Sequence, residues 1–200
     1  MKEFVNSFLT VVLGSGAALA IVRIVFDRRK DRRERLDAIK YLALQLAFQF
    51  EGFAIECERV ASDNQTADEH GGNVGRFISG VPQPQPLPAS DAYRFLEPEI
   101  LNRVFGFAQR CQMAQQAASF WAEIVGDEQC YRSASEENTI MMGAECLQIA
   151  GAIRRKYRLG DRTLEFDKWS IDNFFKKELP KIEARKARRD EATKEGTQAD

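Results

Sequence analysis

Histidine and cysteine side chains are the groups in this sequence that could bind a metal. The chain has one histidine, His70, which excludes the paired Glu-x-x-His motifs of di-iron bundles and the His-Glu-x-x-His zinc motif. None of the four cysteines belongs to a Cys-x-x-Cys pair: Cys57, Cys111, Cys130 and Cys146. A core site that gathers Cys57, Cys111 and Cys146 is feasible, but structural zinc sites normally include two ligands close in sequence. We therefore predict no metal, no cofactor and reduced cysteines.

Motifs for phosphate binding and nucleophilic catalysis are also missing from the sequence. Residues 71–76 read GGNVGR, without the lysine and the serine or threonine of a phosphate-binding loop, so we expect a flexible loop. Neither Ser-x-x-Lys nor Gly-x-Ser-x-Gly occurs. His70 is predicted to be a solvated loop residue, with a base or sensor role as the alternative. Cys130 is expected to be the most accessible thiol, and to be inert.

Glutamates within the predicted helices are the remaining candidates for acid–base chemistry: Glu51, Glu56, Glu58, Glu123 and Glu145. Their spacing isolates no pair, and a solvated helix face explains most of them. The sequence therefore predicts a protein that is not an enzyme. An enzyme with an unrecognised site between the helices is the alternative, and a deep pocket with converging glutamates would favour it.

The N-terminal segment, residues 1–26, predicts a membrane anchor. Nineteen residues from Phe4 to Val22 carry no charge, and as a helix they would span roughly 28 Å, close to the thickness of a hydrocarbon core. A cleaved signal peptide is the alternative, because residues 18–20 read ALA, the form of a cleavage site. The single lysine before the apolar run and the basic cluster after it count against cleavage.

This basic cluster follows the predicted anchor and consists of Arg28, Arg29, Lys30, Arg32, Arg33 and Arg35. Positive charge concentrated on the C-terminal side predicts a single-pass protein of the plasma (inner) membrane, with its N-terminus outside and the bulk of the chain in the cytoplasm. The same cluster is a candidate contact with anionic lipid headgroups.

Apolar residues spaced three and four apart predict an all-α domain over residues 27–182. The expected helices cover 27–62, the stretch from Pro98 to Gly126, 136–158, and 169–182 with an interruption at Pro180. We expect an antiparallel four-helix bundle behind a single N-terminal transmembrane helix, with a long Gly/Pro-rich loop over residues 62–90. Phe50 and Trp121 occupy central positions of the two longest apolar faces and are predicted to be buried.

The second half of the long loop is rich in proline. Pro82, Pro84, Pro86 and Pro88 alternate with other residues, a pattern that favours extended polyproline geometry. Loops of this length inside a domain are often functional. The segment is therefore a candidate docking site for a protein partner, with a plain spacer as the alternative.

Residues 183–200 form a charged segment that we expect to be a flexible tail. If successive helices alternate in direction, this tail lies on the membrane side of the bundle, where its excess of basic residues predicts weak electrostatic contact with lipid; a solvated overhang is the alternative. The overall net charge of -1 gives no reason to expect nucleic-acid binding. The sequence thus predicts a membrane-tethered helical interaction or scaffold protein with a protein partner or self-association, and a structural homo-oligomer is a further alternative.

Overall fold

Four helices account for most of the chain: α1 (Lys2–Glu69), α2 (Pro98–Phe120), α3 (Glu128–Tyr157) and α4 (Ile171–Thr197). The computed structural model describes the backbone of residues 2–71, 77–78, 80–162, 165–166 and 169–197, and the side chains of 20–71, 77–78, 80–123, 126–162, 169–189 and 191. Beyond the helices these residues include a 3₁₀ helix, Asp91–Phe95, and two paired two-residue strands, β1 (Glu165–Phe166) and β2 (Trp169–Ser170). The predicted all-helical class is confirmed.

Helix α1 is continuous and contains no proline to break it. Its predicted apolar face is buried from Leu42 through Phe50 to Val60, but Leu36 on the same face is 47% exposed. Residues 20–38 are exposed throughout. Helix α1 therefore joins the buried core only beyond residue 38, and its described side chains before that point, residues 20–38, are exposed.

The predicted single-pass anchor is wrong. Within the described residues, no helix combines the length and the apolar composition needed to cross a membrane. The apolar run whose side chains are described, residues 20–26, contains Arg23 and spans roughly 10 Å, about a third of a hydrocarbon core. The predicted inner-membrane localisation with an outward N-terminus is overturned with it. Side chains before residue 20 lie outside the described part of the chain.

Helix α2 begins at Pro98 as the sequence predicts, but it ends at Phe120, and a turn of different geometry continues it to the predicted end at Gly126. Pro98 occupies the first turn, and Gly126 adopts the left-handed conformation (φ 71°) that ends the segment. Between them, Trp121–Val125 form a π-helical turn. Trp121 stands at the start of this wider turn, where its side chain is 37% exposed and its ring contacts Phe120 edge-on. The prediction that Trp121 is buried is wrong, whereas Phe50 is buried as predicted.

Helix α3 lies at the centre of the bundle and is buried along most of its length. It begins eight residues before the predicted start, because the carboxylate of Asp127 caps it by accepting a hydrogen bond from the amide of Cys130 at 2.8 Å. Gly143 permits close packing: a Cβ there would lie 2.7 Å from Cβ of Cys57 on α1 and 2.6 Å from Cζ of Phe175 on α4.

Contacts between the helices show that their directions do not simply alternate. Helix α3 is antiparallel to α1, because Arg154 pairs with Glu51 and Glu136 with Gln65. Helix α3 is also antiparallel to α2, since its last turn meets Glu97 and its middle meets Arg110. Helices α1 and α2 are therefore parallel, and the prediction of strict alternation is wrong. The physical reason is the connector between them, whose described residues 77–78 and 80–97 run back along α1 before α2 begins.

Helix α4 continues through Pro180 to Thr197 without interruption. Proline has no N–H, so the carbonyl oxygen of Lys176, four residues earlier, lacks its helical hydrogen-bond donor. Lys176 is exposed, so this oxygen can bond to water instead. Near the other end of α4, Arg189 pairs with Glu137 close to the start of α3. The expected flexible tail is thus helical up to residue 197, and it lies at the opposite end of the bundle from the N-terminal half of α1. The prediction that placed it beside the N-terminal segment is wrong.

Candidate functional site

The proline-rich segment has no regular secondary structure, and hydrogen bonds hold it against the bundle. The side-chain amide of Gln49 on α1 donates to the carbonyl oxygens of Gln85 at 2.8 Å and Pro86 at 3.0 Å. Upstream, the amide of Val81 donates to the side-chain oxygen of Gln115 at 2.7 Å. Pro86 is exposed, whereas the other three prolines are half-buried: Pro82, Pro84 and Pro88. These hydrogen bonds anchor the segment at the surface, and whether it docks a partner stays a prediction.

A groove of about 460 Å³ runs between this segment and the facing sides of α1 and α2. Its floor is aromatic: Phe107 makes edge-on ring contacts with Phe50 and Phe53 at centroid distances of 5.3 and 5.2 Å. Phe48, 59% exposed, stands at one rim. Gln83 and Gln85 supply polar groups at the other. An apolar floor with a polar rim is the usual composition of a recognition groove.

The side chains of the basic cluster, residues 28–35, are exposed on the N-terminal part of α1. Lys30 lies 3.8 Å from Glu34, and the guanidinium of Arg35 lies over the ring of Phe95. The remaining members have no described contact with the bundle: Arg28, Arg29, Arg32 and Arg33. Contact of the cluster with anionic lipid stays a prediction.

The three core cysteines do come together, as the sequence allowed. Cys57, Cys111 and Cys146 are free and buried. Burial is the main cause that raises the pKa of each thiol, to about 12 for Cys111, and their mutual proximity raises the pKa of Cys57 and Cys146 further. They are therefore protonated at neutral pH. Among the described residues no group of three or more His, Cys, Asp or Glu side chains could hold a metal ion.

His70 and Cys130 are two further candidates from the sequence, and each contacts a residue close to it in the chain. His70 follows the end of α1, where its Nδ1 lies 2.9 Å from the carbonyl oxygen of Thr66. Cys130 lies in the first turn of α3, where a hydrogen bond with Asp127 raises the pKa of its thiol. That shift disfavours the reactive thiolate.

The helical glutamates do not converge. Glu51 forms a bidentate pair with Arg154 at 2.6 and 2.9 Å, and both side chains are buried. Glu145 pairs with Arg110 at 2.7 Å, and Glu56 pairs with Arg59 on the surface of α1. Within the described chain, each of these three glutamates is therefore paired with an arginine, and they do not share a pocket with one another.

A charged cavity of about 730 Å³ was not predicted from the sequence. It lies between α2 and the C-terminal end of α3, and its walls carry five arginines: Arg103, Arg154, Arg155, Arg158 and Arg162. Asp161 and Asp172 also line it. The run RRKYR at residues 154–158 was the available signal, but basic residues at the end of a helix are common because they interact favourably with its dipole.

Comparisons of the chain with protein-family models, with curated proteins and with solved structures each gave no significant match.

Proposed function

We propose that this chain is a helical interaction protein that receives an apolar peptide segment of a protein partner in the groove beside the proline-rich segment. The observation that supports this most is the aromatic floor lined by Phe50, Phe53 and Phe107, reached from solvent past the exposed ring of Phe48. Burial of aromatic and aliphatic anchors in such grooves supplies most of the binding free energy of protein interfaces.

The anchoring of the proline-rich segment to α1 also favours peptide binding in the groove. Prolines restrict the backbone of residues 82–88, and Gln49 holds two of its carbonyls. One wall of the groove is thus ordered before a partner arrives. Less conformational entropy is lost on binding when a site is preorganised in this way.

A peptide-display selection against the full chain tests the proposal. We expect enrichment of peptides with a bulky apolar anchor residue. The substitution Ala108→Trp, on an exposed residue that lines the groove, should fill it and weaken the selected peptides by about tenfold or more. The matched control is Ala117→Trp, at an exposed position of the same helix that does not line the groove. Its affinity for the same peptides should equal that of the parent chain.

Selected peptides that bind Ala108→Trp and Ala117→Trp equally well would contradict the proposal, as would a selection that enriches no apolar anchor. Enrichment of a sequence present in this chain itself would instead favour the homo-oligomer.

A further inference from the structure

The arginine-lined cavity brings together positive side chains from separate parts of the chain. Arg103 comes from α2, Arg154 and Arg155 from the last turn of α3, and Arg158 and Arg162 from the segment that follows. Gly151, one helical turn before Arg155, also lines the cavity. An added Cβ at Gly151 would lie 3.3 Å from the guanidinium of Arg155, so the glycine leaves room for that group over the helix surface.

Two of these arginines are held by carboxylates. Arg154 is bound by Glu51, and Arg162 is paired with Asp172. In the part of the chain that the structure describes, the other three form no ion pair: Arg103, Arg155 and Arg158. Guanidinium groups without an ion-pair partner, gathered around one cavity, raise its positive potential and favour the entry of an anion.

The backbone at Arg158 adopts a left-handed conformation. Arg158 has φ 52°, and it is the only residue other than glycine with a positive φ among the described residues. It occupies the left-handed cap position of α3, where glycine is normally preferred because a side chain is strained there. Strained backbone of this kind is concentrated at functional sites. An arginine at this position places a guanidinium at the rim of the cavity.

We infer that this cavity binds a small molecule that carries two or more phosphate groups. Guanidinium groups bind phosphate oxygens through paired, charge-assisted hydrogen bonds. Three unpaired arginines offer more donors than one phosphate accepts, and the cavity has the volume of a typical small-molecule site. Asp161 and Asp172 also line the cavity. Their negative charges repel an anion that does not contact several of the arginines at once.

Isothermal titration of the full chain with tripolyphosphate, inorganic phosphate and citrate tests this inference. We expect tripolyphosphate to bind more tightly than either single phosphate or citrate, with an affinity that falls as salt is raised. Arg155→Gln and Arg103→Gln should each lower the affinity by about tenfold. Arg188→Gln, at an exposed arginine of α4, should leave it unchanged.

The variant Arg158→Gly distinguishes a loss of anion binding from a loss of stability. Glycine relieves the strained backbone, so the melting temperature should stay within about 3 °C of the parent chain, while the affinity for tripolyphosphate falls. Absence of tripolyphosphate binding to the parent chain, or affinity equal in the parent and in the arginine variants, would overturn the inference. Tighter binding of citrate than of tripolyphosphate would overturn the assignment to phosphate.

Discussion

At the scale of single residues, the buried ion pair between Glu51 and Arg154 is the most consequential polar contact. Arg154 also donates toward the carbonyl oxygen of Gly160 and lies over the ring of Phe48, 5.2 Å from its centroid. Its guanidinium therefore joins α1, α3 and the segment after α3. Because the pair is removed from water, each partner depends on the other for compensation of its charge.

Removal of one charge from this pair should be costly. Glu51→Gln leaves the Arg154 guanidinium buried without its carboxylate, and we expect the free energy of unfolding to fall by about 3–5 kcal/mol. The matched control is Glu56→Gln, which breaks the exposed pair with Arg59 on the same helix and should cost less than about 1 kcal/mol. Urea denaturation of the two variants measures both values. Equal losses would show that the buried pair is no more important than the surface pair.

The buried thiols make stability depend on alkaline pH. The folded state raises the pKa of Cys111 to about 12 from an ordinary value of 9.0. Above pH 9 the unfolded chain therefore releases a proton that the folded chain keeps. The stabilisation is fully present below pH 9 and is lost as the pH rises toward 12, by about 1.4 kcal/mol per pH unit for this thiol. Urea denaturation between pH 8 and 11 should show a shallower decline for Cys111→Ala. Identical declines would contradict burial of the thiol.

At the scale of helices, the packing of α1, α3 and α4 depends on Gly143. Gly143→Ala gains helix propensity but forces a methyl group against Cys57 and Phe175, so we expect a net loss of about 1–3 kcal/mol. Gly52→Ala is the matched control, because no atom lies within 4 Å of the added Cβ. This second change should stabilise the chain by up to about 1 kcal/mol. A stabilising Gly143→Ala, read from thermal unfolding, would show that the helices are farther apart.

The helices themselves could be predicted from the sequence, because apolar spacing, Pro98 and Gly126 act locally. Local signals did not reveal the π-helical turn that begins at Trp121 and shifts the helical register. Nor did they show that α4 accepts Pro180, because that depends on solvent near the carbonyl oxygen of Lys176. The sequence also could not identify Glu51 as the buried partner of Arg154, because the two residues lie 103 positions apart. The same holds for the cavity, because Arg103 meets the α3 arginines only after α2 and α3 pack.

At the scale of the whole molecule, the connector between α1 and α2 determines where both proposed sites lie. As the connector advances, its contacts on α1 move backward: Ile78 bonds to Asn64, Gln85 to Gln49, and Phe95 contacts Arg35. The chain therefore returns along α1 before it begins α2. This return forms one wall of the groove, and the parallel course of α2 brings Arg103 beside the end of α3.

The positions of the groove and of the arginine-lined cavity both depend on the direction of α2, which a pair of distance measurements can establish. Spin-labelled amino acids replace the exposed residues Tyr41 and Glu99 in one sample, and Tyr41 and Met113 in another. Fourteen residues separate the two α2 positions, or roughly 20 Å along the helix. The parallel arrangement predicts that electron–electron double resonance gives the shorter distance for Tyr41 with Glu99. A shorter distance for Tyr41 with Met113 would mean that α2 runs antiparallel to α1, which would contradict the crossover and both sites built on it.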